Sequence, residues 1–71
     1  MTWRAKPESL KPRYFEIKED PVAGFYLYVF EGDKCIYDHL QDTFEIAVEC
    51  AWEDYGVPND AWEKIENKVS S

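Results

Sequence analysis

One stretch, Phe25 to Leu40 (FYLYVFEGDKCIYDHL), constrains this chain more than any other. Runs rich in β-branched and aromatic residues flank the segment Glu31-Gly32-Asp33-Lys34. Such runs suit strands, and glycine and aspartate supply the backbone freedom of a tight turn. The stretch therefore predicts a β-hairpin with Gly32-Asp33 as its loop. In that register Glu31 faces Lys34, Phe30 faces Cys35, Val29 faces Ile36, Tyr28 faces Tyr37, Leu27 faces Asp38, Tyr26 faces His39 and Phe25 faces Leu40. Side chains alternate between the faces of a strand. One face then takes Phe25, Leu27, Val29, Ile36 and Leu40. The other takes Tyr26, Tyr28, Phe30, Cys35, Tyr37 and His39. A hairpin with one wetted side should show polar residues there. This one has apolar or aromatic residues on both sides, so both sides need cover.

The flanking segments supply some of it. Arg13 to Glu19 alternates, with Phe15 and Ile17 on one side, and predicts a strand that ends at Glu19-Asp20-Pro21. It is expected to pair antiparallel with the first hairpin strand. After the hairpin, Asp42-Thr43-Phe44-Glu45 has the form of a capping box. The helix it opens runs to about Tyr55 and stops at Gly56, with Pro58 beyond. Phe44, Ala47, Val48, Ala51, Trp52 and Tyr55 fall on one helical face, expected to cover the Leu27/Val29 side. Ile46 and Cys50 make a narrower second stripe. Trp62, Ile65 and Val69 then suggest a short second helix. Residues 1–12, with two prolines and no period, read as an extended arm whose Trp3 and Leu10 touch the core. The expected fold is thus one α+β domain. It has a three-stranded antiparallel sheet (about 13–19, 24–31 and 34–40), a helix on one face (about 42–55) and a short C-terminal helix (about 60–68).

At 71 residues such a chain supports a marginal core, roughly 3–5 kcal/mol of net stability without a staple. Its 45% hydrophobic and 32% charged residues are those of a globular protein rather than a disordered one. No apolar run is long enough to span a bilayer and no leader pattern opens the sequence, so a cytoplasmic protein is expected. Two cysteines, Cys35 and Cys50, are too few for a disulfide scaffold.

The net charge of −7 is unevenly spread. Five of the eight basic residues lie in positions 1–18, against two acidic ones, while positions 19–71 hold three basic and thirteen acidic residues. That balance repels nucleic acid and anionic membranes, and suits a basic protein partner.

Three clusters are candidates for function. Asp38, His39 and Asp42 lie close together, and a histidine between carboxylates can bind a metal or act as a base. No second histidine completes a usual zinc set, so neither a metal nor another cofactor is expected. Glu45, Glu49 and Glu53 form an i, i+4, i+8 ridge in a helix without a lysine, at a cost of roughly 0.2–0.5 kcal/mol per like-charged pair. Tyr26, Tyr28, Phe30 and Tyr37 make an aromatic patch on the side the helix leaves open. The N-terminal arm with Trp3 or the C-terminal segment with Trp62 could fold over that patch. Alternatively a second copy, or a different protein or ligand, could dock there.

The helix pattern Thr43, Glu45, Ala47, Ala51, followed by Gly56, Val57 and Trp62, resembles that of many short bacterial proteins of unassigned function. The order of elements is also similar to the sheet-and-helix unit of HicB-like antitoxins. These resemblances imply a small non-enzymatic protein that binds another protein. The expected role is an accessory, inhibitor or immunity-type factor, with a structural homodimer as the alternative. The candidate contact residues are Tyr26, Tyr28, Phe30, Tyr37, His39, Glu45, Glu49 and Glu53.

Overall fold

The fold is described for residues 1–65, from a computed structural model. It has five strands: β1 (Thr2–Ala5), β2 (Arg13–Asp20), β3 (Gly24–Glu31), β4 (Lys34–Gln41) and β5 (Glu63–Ile65). The helix α1 (Phe44–Tyr55) lies between β4 and β5 in the chain. All neighbouring strands are antiparallel, in the order β4-β3-β2-β1-β5. The first four strands form a meander, and α1 carries the chain back across one face to the far edge.

The class is α+β, but the sheet has five strands rather than three, and α1 is the one α-helix among the described residues. Thr2–Ala5 of the expected arm is an interior strand between β2 and β5. The expected C-terminal helix is replaced over its described part by a 3-10 turn at Asn59–Ala61 and by β5. The rest of that expected helix lies outside the described residues. The reason is long-range: β5 exists because β1 offers it a free edge, Thr2 opposite Ile65 and Arg4 opposite Glu63. Nothing in the local sequence reports that edge.

The core sits between the sheet and α1. Ala5, Phe15, Ile17, Leu27 and Val29 point inward and are fully buried, with Ala47, Ala51 and Val57 above them. Alanines at positions 47 and 51 bring the helix backbone close to the sheet. Larger rings flank them: Phe44 packs on Trp3 with centroids 4.4 Å apart, and Tyr55 on Phe15 at 5.5 Å. Each fully buried large side chain contributes about 1.5–3 kcal/mol over its exposed state. Trp3 and Leu10 both pack against this core.

The helix cap lies one residue later than expected. The Thr43 hydroxyl, not Asp42, accepts from the Ile46 amide at 3.1 Å. At the other end Gly56 takes a left-handed conformation, φ +75°, and lets its amide bond the Trp52 carbonyl while Val57 turns into the core. The β2–β3 link is an Asx turn, in which the Asp20 carboxylate accepts from the amides of Val22 (2.8 Å) and Ala23 (3.0 Å). Those two donors, Ala23 foremost, hold the Asp20 carboxyl below its ordinary pKa.

The hairpin turn is as expected at its tip and differs beyond it. Glu31 pairs with Lys34 and Phe30 with Cys35, but Val29 then pairs with Tyr37 and Leu27 with His39. Gly32 has φ +62° and no other loop residue is positive, the pattern of a II′ turn. Ile36 is the extra residue of a β-bulge. One inserted residue inverts the faces of everything after it. Tyr37 and His39 therefore lie on the helix side, while Asp38 and Leu40 lie on the outer side.

Candidate functional site

The outer face of the sheet is built on alternate residues of four neighbouring strands. β2 gives Tyr14, Glu16 and Lys18; β3 gives Tyr26, Tyr28 and Phe30; β4 gives Cys35, Asp38 and Leu40. Arg4 of β1 stands beside Glu16. Tyr14 stacks on Phe30 with centroids 4.8 Å apart and planes within 8°. Phe30 continues to Tyr28 at 6.3 Å, and Tyr28 to Tyr26 at 5.9 Å. Two cations lie over this ladder, Lys6 at 5.1 Å from the Tyr14 ring and Lys18 at 5.6 Å from the Tyr28 ring. Beside it, Arg4 and Glu16 form an ion pair at 2.9 Å, with Glu16 only 7% exposed. Burial first, then the neighbouring Tyr26 and Asp38, pushes the pKa of the Tyr28 phenol up.

Neither expected cover reaches this face among the described residues. Trp3 points to the helix side, where it meets Phe25 and Phe44. Trp62 packs against the core, its indole N–H without an acceptor among the described residues. Leu10, at the end of a 3-10 turn over Glu8–Leu10, and Ala61 also pack against the core. Within residues 1–65 the ring ladder is thus covered by its own neighbours alone.

The bulge separates two of the expected contact residues from this ladder. Tyr37 and His39 stack with centroids 6.2 Å apart on the helix side of β4. His39 Nε2 lies 3.1 Å from the Tyr55 hydroxyl, a hydrogen bond whose donor follows the imidazole tautomer. Burial, then the charge of Asp54, raises the pKa of that hydroxyl. Asp38 points to the other face and Asp42 is exposed. No group of three metal-ligating side chains occurs among the described residues.

The acidic ridge lies on the far side of the molecule. Glu45, Glu49 and Glu53 are exposed on α1, beside a parallel stripe of Phe44, Val48 and Trp52. Together with Asn59 these residues line an open groove of about 560 Å³. Trp52 was expected in the core and is 55% exposed in this groove. Four ion pairs occur among the described residues, and their acids are Glu8, Glu16, Glu19 and Glu31. No carboxylate of α1 is in one. Cys50 registers their field: its thiol is pushed up by burial first, then by Asp54, Glu53 and Glu49.

The eight expected contact residues therefore fall into three places. Tyr26, Tyr28 and Phe30 share the outer sheet face, His39 sits at the β4–α1 seam with the 56% exposed Tyr37 beside it, and the three glutamates line the groove. Tyr14 and Trp52 complete two of these surfaces and were not expected in them. Tyr14 was readable, since the alternation that sent Phe15 inward sent it outward. No known protein family, characterised protein or solved structure matches this chain. No described helix is long and apolar enough to cross a membrane.

Proposed function

We propose that this chain is a small non-enzymatic factor that binds another protein through the outer face of its sheet. The observation that supports this is the ladder Tyr14–Phe30–Tyr28–Tyr26, which no other described element covers. Tyrosine suits a surface that alternates between water and a partner, because its ring is apolar and its tip polar. The four rings are half-buried against one another, and clustered aromatic rings of this kind supply the anchors that dominate interfaces. A reducing compartment such as the cytoplasm suits the two free cysteines.

The test compares the purified protein with its Tyr28→Glu variant. The wild type is expected to hold a stoichiometric partner in solution, and the variant to lose it with unchanged circular dichroism. A monomeric wild type that holds nothing, with slow solvent exchange at Tyr26 and Tyr28, would sink the proposal.

Self-association through the same face is a second reading, favoured by charge. The chain is strongly acidic, yet this face carries Lys6 and Lys18 as well as Asp20 and Asp38. Two copies can meet there without the repulsion they meet elsewhere. Light scattering would then give a dimer that Tyr28→Glu converts to a monomer.

A further inference from the structure

The groove on α1 has a different composition from the sheet face. Its floor is apolar: Phe44, Val48 and Trp52 repeat every four residues. Its rim is Glu45, Glu49 and Glu53 at the same repeat, and no cation among its lining residues answers them. Four residues of helix advance about 6 Å, so the rim places carboxylates at that interval. Like charges at i, i+4 destabilise a helix. No described ion pair offsets them. An exposed tryptophan beside carboxylates that no described cation pairs suits the stem and head of an arginine, which stacks on an indole while its guanidinium bonds carboxylate oxygens.

We propose that this groove is a second docking site, which takes a basic amphipathic segment of a partner protein. Cationic side chains of the segment, about 6 Å apart, meet Glu45, Glu49 and Glu53, and an apolar side chain or arginine stem lies on Trp52. The segment approaches from the side opposite the ring ladder. The groove and the sheet face can therefore be occupied together.

The probe is a fluorescein-labelled helical peptide with arginine and leucine at four-residue spacing. Saturable binding is expected, weakened about tenfold between 0.05 and 0.5 M salt as the charges are screened. Replacing the peptide's arginines with glutamate should abolish it. Trp52→Ala should weaken it about tenfold and Glu49→Lys at least as much, while Tyr28→Glu leaves it unchanged. Because Trp52 and Glu49 are exposed, both variants should keep the wild-type circular dichroism. Amide shift mapping on the wild type gives a readout that needs no variant, with changes expected at Phe44, Val48 and Trp52. Absence of saturable binding would overturn the inference. So would shifts centred on Tyr26 and Tyr28, or equal affinity in Trp52→Ala and Glu49→Lys. Because the readout lies on α1, its failure leaves the sheet-face reading intact, and the reverse holds too.

Discussion

Gly24 shows how narrowly one residue can be specified. It opens β3 with φ +127°, a conformation that side-chain-bearing residues rarely adopt. A Cβ built there would lie 2.5 Å from the Gln41 carbonyl oxygen, at the end of the neighbouring strand. Backbone cannot yield as a flexible side chain does. Gly24→Ala should therefore cost about 2–4 kcal/mol, strain and clash together, measured by urea unfolding. Variants at Gly32, where an added Cβ meets nothing within 4 Å, carry only the conformational penalty. The sequence marks Gly32 as a turn residue and Gly24 as the first residue of a strand. The difference between them depends on a carbonyl seventeen residues away, and no local pattern carries that.

At the scale of elements, the helix was legible and its rotation was not. Phe44, Val48 and Trp52 look like one apolar stripe, but a step of four residues advances 400°, or about 40° beyond a full turn. The stripe winds away from the sheet, so Phe44 packs on Trp3 while Trp52 emerges into the groove. Cys50, on the other flank, packs against the core in its place. The hairpin misleads in a similar way. Its turn chemistry fixes the first two pairs, and the single residue Ile36 then reverses Tyr37 and His39. Period-two reasoning cannot see a bulge, because the side chains on both sides of it are equally apolar. The glutamate ridge yields a prediction of its own. Glu49→Lys replaces two repulsive i, i+4 pairs with attractive ones and should stabilise α1 by about 0.5–1 kcal/mol. A calorimetric melt should therefore show a higher Tm in the variant expected to lose the basic peptide. A lower Tm would mean that Glu49 has a structural role missed by its exposed position.

For the molecule as a whole, the first and last described strands are adjacent in space. β1, TWRA, alternates polar and apolar residues but is only four residues long, and the described part of β5, EKI, has no alternation; neither announces a strand by itself. Their pairing joins Thr2 to Ile65, almost the full described length. β2, β3, β4 and α1 are legible because their signals are local; β1 and β5 are not, because β1 is set by its pairing along β2 and β5 by its pairing along β1. This makes β1 a keystone of the sheet despite its length. It fills the gap between β2 and β5 and delivers Trp3 and Ala5 to the core. Deleting residues 1–5 should abolish the cooperative thermal transition seen by circular dichroism. Retention of the wild-type Tm would show that the sheet is complete without it.

The Ile36 bulge has a consequence for how such a protein meets others. A neighbouring chain can extend a sheet only by reading a regular row of free amides and carbonyls. On β4 that row is broken at Ile36 and fringed by Lys34 and Asp38. The β4 rim is therefore a poor template for an added strand, which favours the side chains of the two broad surfaces as the proposed sites of contact. Those surfaces can be altered one residue at a time without rewriting the backbone.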